Sequence, residues 1–210
     1  MLTLELAVSF FGIATLLALS PGPDNLFVLT QSALWGRRSG LMVVLGLCTG
    51  LIGHTVAVAV GLATVFATSA TAFNALKLAG AAYLVYLAWG ALRAGAVTEH
   101  TKNSTPALSP WKLYQRGILM NLTNPKVSIF FLAFLPQFTA PARGSVALQT
   151  ISLGALFMLA TFVVFGLLAW FAGTLGERLK ESARVQIWLN RTAGIVFLGL
   201  ALRLLVSERH

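Results

Sequence analysis

The chain has 210 residues, of which 57% are hydrophobic and only 10% are charged, and its formal net charge is +9. A typical soluble domain has about 25% charged residues, so this composition excludes an ordinary water-soluble globular protein. The excess of Lys and Arg does not indicate a nucleic-acid partner, because membrane proteins collect these residues in their cytoplasmic loops. The single cysteine, Cys48, excludes an intramolecular disulfide and a dithiol relay, and with three histidines it leaves no zinc cluster.

Long uncharged segments predict an all-α integral membrane protein. Residues 39–76 and 144–176 contain no Asp, Glu, Lys or Arg, and about 20 apolar residues in a helix are enough to cross the core of a lipid bilayer. The N-terminal sequence lacks a basic segment and a cleavage site, and it is interpreted as part of the first span rather than as a signal peptide. Six transmembrane helices are predicted in chain order: 4–34, 39–67, 73–92, 111–138, 146–175 and 185–206.

Basic residues predict the orientation of these spans. The loops after the first, third and fifth spans contain nine Lys and Arg residues, whereas the opposite ends of the spans contain four. Basic residues are enriched in cytoplasmic loops. We therefore expect the polar linker at 94–110 in the cytoplasm and both termini on the outer side of the membrane.

The linker divides the chain into two halves, 1–93 and 111–210, each with three predicted spans. An odd number of spans per half requires opposite topology, so the halves are predicted to be inverted repeats within one membrane domain. "PD" at 23–24 aligns with "PK" at 125–126, and "KLAGAAYL" at 77–84 aligns with "RTAGIVFL" at 191–198. A proline break in the first helix of each half is the stronger indication, because paired Gly/Pro interruptions are typical of a transporter's binding site.

Four residues are predicted to break the helices. Proline removes a backbone donor and clashes with the preceding turn, so breaks are expected at Pro21, Gly22 and Pro23 and again at Pro125. The free carbonyl and N–H groups at such breaks must face protein or a wet cavity, because lipid cannot satisfy them.

An acidic and a basic residue follow the two breaks at matched positions. Asp24 is favoured by the positive end of a restarted helix, whereas Lys126 needs a compensating group. We expect these two side chains to form a pair on a substrate and proton pathway, although a pair that only fixes the packing of the halves is the alternative. Four polar residues flank this pair: Asn25, Asn121, Asn124 and Ser128. His54, in the second span, is either a proton relay or a core residue.

Three stretches resemble the lysine exporter (LysE) family, and within it the homoserine/threonine exporter (RhtB) branch. They are "SPGPDNLFVLTQSALWGRRSG" at 20–40, "LKLAGAAYLVYLAWGALR" at 76–93 and "NLTNPKVSIFFLAFLPQF" at 121–138. The resemblance implies a six-span exporter in the bacterial inner membrane. It also implies amino-acid substrates, neutral ones such as threonine, homoserine or leucine, and coupling to the proton motive force. His54 is not a signature of this family.

A secondary transporter is the favoured function, because broken helices offer N–H groups to a substrate carboxylate and carbonyls to its ammonium group. An exporter of another small zwitterion or ion and a passive channel remain alternatives, and a homodimer is left open. An intramembrane enzyme lacks a nucleophile–base or metal constellation, and no cofactor site is visible. Gly46, Gly50 and Gly53 are interpreted as sites of close helix packing, not as a nucleotide site.

Overall fold

The described part of the chain is built from helices. The computed structural model describes residues 2–20, 22–68, 70–93, 108–181 and 183–206, and it has no strand among them. The α-helices are α1 (Leu4–Leu19), α2 (Pro23–Trp35), α3 (Arg37–Thr68), α4 (Ala70–Arg93), α5 (Pro110–Thr123), α6 (Pro125–Ile129), α7 (Val146–Glu181) and α8 (Ala183–Val206). The all-α prediction is therefore confirmed, while most of the predicted linker and Pro21 lie outside the described residues.

Several of these helices are long and apolar enough to cross a membrane. Within the described residues, Arg37–Gly61 and Val146–Ala172 meet this criterion alone. Two bent pairs also meet it when each is taken as one span: α1 with α2, bent by 64°, and α5 with Pro125–Phe138, bent by 50°. Shorter apolar segments lie within α4 and α8, at Leu78–Arg93 and Asn190–Leu202.

The segment after α6 departs from regular α-helix. Phe130–Phe134 forms a π-helical turn, and the 3₁₀ turns Leu135–Phe138 and Pro141–Arg143 follow it. A wider turn inside a helix is most often found where the chain serves a functional site. The bend that begins at Pro125 therefore continues through an irregular segment rather than through a straight second half-helix.

The bundle is organised around α3 and α7. α3 packs along α5 and α7, α4 packs along α8, and both α1 and α2 pack against α7. At the contact between α3 and α5, Gly46 and Gly117 face each other. A Cβ atom on Gly46 would meet the Tyr114 carbonyl oxygen, and one on Gly117 would meet the Val43 carbonyl oxygen. Small residues that let two backbones approach are a common means of helix packing in membranes, and Gly46 was expected to act in this way.

Two hydrophobic clusters fill the bundle. The larger contains six buried phenylalanines whose rings contact one another: Phe10, Phe130, Phe131, Phe134, Phe138 and Phe157. The smaller consists mainly of aliphatic side chains, with Phe165 as its buried aromatic residue. Phe157 and Phe165 lie two helical turns apart on α7 and belong to different clusters. The space between these two side chains, beside Thr161, is where the two breaks meet.

Candidate functional site at the two helix breaks

The first break separates α1 from α2. α1 ends at Leu19, and the Ser20 N–H donates to the Leu16 carbonyl oxygen. Gly22 is extended, and Pro23 occupies the first position of α2, where its missing N–H costs nothing and its fixed φ suits the helix. The break thus lies where the Pro-Gly-Pro sequence predicts it, and it leaves the last carbonyls of α1 without intrahelical partners.

The second break separates α5 from α6 at Asn124. The Asn124 side chain caps α6, since its Oδ1 accepts a hydrogen bond of 3.0 Å from the Lys126 N–H. Pro125 is the first residue of α6, and the Ser128 hydroxyl donates to the Asn124 carbonyl oxygen at 3.0 Å. Pro125 therefore breaks the chain at the position predicted from the sequence.

The two breaks are bonded to each other. The Asn124 Nδ2 donates to the Asp24 Oδ2 at 2.7 Å. The Lys126 ammonium donates to the carbonyl oxygens of Leu17 and Ser20, at 3.2 and 3.0 Å, at the end of α1. A cation at the negative end of a helix is electrostatically favourable, so Lys126, from the second half of the chain, caps a helix of the first half.

The expected direct pair between Asp24 and Lys126 is not formed in this structure. The carboxylate is bonded by Asn124 and the ammonium by two backbone carbonyls, and no nitrogen–oxygen contact of 4.0 Å or less joins the two charges. The physical reason is that the end of α1 presents free carbonyls within reach of the ammonium group. Asp24 and Lys126 are nevertheless close neighbours, because both line the same cavity.

A small cavity of about 10 Å³ lies between the breaks and α7. Asp24 and Asn121, which are 3% and 2% exposed, contribute polar walls to it, together with Lys126 and Thr161. The apolar lining comes from Leu17, Ala18, Val127, Phe157 and Phe165. This volume is the space of about one water molecule. Thr161 was not predicted from the sequence, since a threonine in an apolar helix carries no local signal.

The other predicted residues lie around this cavity without lining it. The Asn25 Nδ2 donates to the Ala18 carbonyl oxygen at 2.8 Å and so satisfies a further carbonyl at the end of α1. His54 approaches the second break from α3. Its Nε2 lies 3.2 Å from the Asn121 carbonyl oxygen, and its ring centroid lies 5.6 Å from that of Phe131. The structure therefore groups all seven predicted polar residues at the two breaks, but only Asp24, Asn121 and Lys126 face the cavity.

Comparison with known proteins identifies the family. The family model described as LysE type translocator matches residues 15–208. The chain belongs to this family. It is therefore a membrane transport protein and not an enzyme, as the resemblance of its three sequence stretches implied.

Named relatives of this LysE type translocator are bacterial efflux proteins. Over the full length of both chains, it is 38% identical to a homoserine/homoserine lactone efflux protein of Salmonella typhimurium. It is 30% identical to a leucine efflux protein of Salmonella choleraesuis, across 91% of this chain and 90% of the relative. An uncharacterized membrane protein of Vibrio cholerae is 32% identical across 93% of this chain and 94% of the relative. No solved structure matches the translocator.

Proposed function

We propose that this chain is a secondary exporter of neutral amino acids in the bacterial inner membrane. The observation that carries the proposal is the meeting of two broken helices at a cavity lined by one carboxylate and one ammonium group, Asp24 and Lys126. A zwitterionic substrate needs one partner of each charge. The relatives named for homoserine and leucine efflux support a neutral amino acid as the substrate.

The proposed architecture has six spans in two inverted repeats, 1–93 and 111–210, joined by a cytoplasmic linker at 94–110. In this arrangement α3 is equivalent to α7 and α4 to α8, and each of these pairs packs together, as elements related by a two-fold axis would. The bent pair α1–α2 is equivalent to α5 with Pro125–Phe138. Both termini then lie on the periplasmic side, as the distribution of basic residues predicts.

Transport is proposed to occur by movement of the two repeats around the cavity. The cavity has the volume of about one water molecule, so an amino acid fits only after the surrounding helices move apart. Such a movement is expected of a carrier and not of a permanently open channel. Proton binding at Asp24 would weaken the charge attraction across the cavity and so couple the proton gradient to this movement.

An efflux assay tests the proposed function. Cells expressing the chain are loaded with labelled homoserine, threonine, leucine or lysine, and efflux is followed with and without a proton uncoupler. We expect export of at least one neutral amino acid, and we expect the uncoupler to abolish export against a concentration gradient. Export that persists unchanged with the uncoupler would indicate a passive channel, and no export of any amino acid would contradict the proposal.

Asp24→Asn is expected to remove the dependence of export on the proton gradient. Asparagine has the shape of aspartate and keeps an oxygen that accepts from Asn124, so the break is preserved while the titratable group is lost. Protein levels should stay within about twofold of the wild type, since the hydrogen bond to Asn124 is retained. Glu5→Gln is the matched control, because Glu5 is an exposed carboxylate on α1. A variant that still responds fully to the proton gradient would exclude Asp24 from the proton pathway.

A further inference from the structure

Three buried side-chain oxygens at the first and second breaks have no hydrogen-bond partner within the described part of the chain: Asp24 Oδ1, Asn25 Oδ1 and Asn121 Oδ1. Buried polar atoms are almost always paired in folded proteins, because an unpaired one loses its hydrogen bonds to water without replacement. All three atoms are acceptors. The described residues therefore supply no hydrogen-bond donor to any of these three oxygens.

The ammonium group of Lys126 donates no hydrogen bond to these three oxygens. Lys126 is the one cation among the described residues that line the cavity, and its Nζ donates to the carbonyls of Leu17 and Ser20. The same contacts occupy the end of α1, where the sequence had suggested that a substrate's ammonium group binds. The free acceptors lie instead on Asp24 and Asn121, which both line the cavity.

The cavity suits a small cationic donor. Its volume of about 10 Å³ holds a group the size of one water molecule, and a primary ammonium group has this size and three N–H donors. By contrast, the cavity has fewer free partners for the substrate's carboxylate than for its ammonium group. Lys126 has at most one N–H left after its two backbone contacts, and the positive end of α2 already carries Asp24.

We infer that Asp24 and Asn121 bind the primary ammonium group of the substrate, and that this group contributes more to recognition than the carboxylate does. This inference rests on the proposed function and refines the substrate class. The exporter accepts small compounds with a free amino group even when their carboxylate is neutralised as an amide. It rejects compounds whose amino group is acylated, since an amide N–H supplies one donor without a positive charge.

Competition in proteoliposomes tests the inference with two matched series. The full chain is reconstituted, and efflux of labelled leucine or threonine is measured with an excess of unlabelled competitor on the same side. Leucinamide and threoninamide keep the amino group, whereas N-acetylleucine and N-acetylthreonine keep only the carboxylate. We expect the amides to compete within about tenfold of the parent amino acid and the N-acetyl compounds at least about tenfold more weakly than the amides. If the N-acetyl compounds compete as well as the amides, the inference fails although the proposed function stands.

A second measurement uses the purified chain in detergent and does not require transport. Methylammonium is expected to raise the midpoint of thermal unfolding of the wild type and of Asn121→Asp, which keeps an acceptor oxygen. Methylammonium should raise the midpoint of Asn121→Ala by at most a tenth as much, because alanine has no acceptor oxygen. Thr49→Val is the control, because the Thr49 hydroxyl contacts Tyr114 and lies outside the cavity lining. If methylammonium stabilises none of these proteins, or if sodium ions alone produce the Asn121-dependent effect, the ammonium site is excluded.

Discussion

Lys126→Met is expected to abolish export and to lower the stability of the protein. Methionine keeps most of the side-chain length but cannot donate to the Leu17 and Ser20 carbonyls, which then remain without partners at the end of α1. Two charge-assisted hydrogen bonds contribute roughly 3 kcal/mol in total, and Asp24 also loses its neighbouring cation. Efflux of labelled amino acid and the midpoint of thermal unfolding in detergent measure the two effects. Lys112→Met is the control, because Lys112 is exposed at the start of α5.

Exchanging the charges, with Asp24→Lys and Lys126→Asp together, is not expected to restore export. A carboxylate at position 126 would face the carbonyl oxygens of Leu17 and Ser20, and acceptors repel one another. A direct ion pair would predict the opposite result, since an exchange preserves the attraction between two charges. Recovery of export in the double variant would therefore show that the ion pair, and not the cap on α1, is the essential interaction.

Gly46→Ala and Gly117→Ala are expected to destabilise the protein by about 1–3 kcal/mol each, because an added methyl group forces two packed backbones apart. A Cβ at either position would meet a backbone carbonyl oxygen of the opposite helix, and backbone moves less easily than a side chain. The midpoint of thermal unfolding measures the effect.

Gly12→Ala provides the matched control for these two variants. Apart from its chain neighbours and the nearby backbone of α1 itself, no described atom lies within 4 Å of the position that a Cβ on Gly12 would occupy. This substitution is therefore expected to be neutral, or to stabilise α1 by up to about 1 kcal/mol through its helix propensity. Equal destabilisation by all three substitutions would show that the close contact between α3 and α5 does not limit stability.

The helix breaks could be predicted from the sequence because their causes are local. Proline ends a helix through its own ring and its missing N–H, and α2 and α6 accordingly begin at Pro23 and Pro125. The long uncharged segments likewise predicted the all-helical class, since α3 and α7 include most of the two longest of them. The matched positions of Asp24 and Lys126 also predicted that these residues lie near each other.

The partners of these residues depend on the tertiary structure and could not be predicted. Every residue carries a backbone carbonyl, so no sequence pattern distinguishes Leu17 and Ser20 as the acceptors for Lys126. Thr161 reaches the cavity only because α7 packs against both breaks. The π-helical turn at Phe130–Phe134 could not be predicted either, because an apolar sequence alone is equally compatible with a regular helix.

The hydrogen bonds that cap α1 cannot form until Lys126 has been synthesised. Residues 1–93 leave the ribosome before Lys126 is made, so the carbonyls of Leu17 and Ser20 enter the membrane without their partner. Unsatisfied backbone groups are costly in lipid. The N-terminal half should therefore stay incompletely folded, and accessible to membrane proteases or insertion chaperones, until the C-terminal half arrives. Expressed alone it should be degraded rapidly, and co-expression with the C-terminal half should protect it.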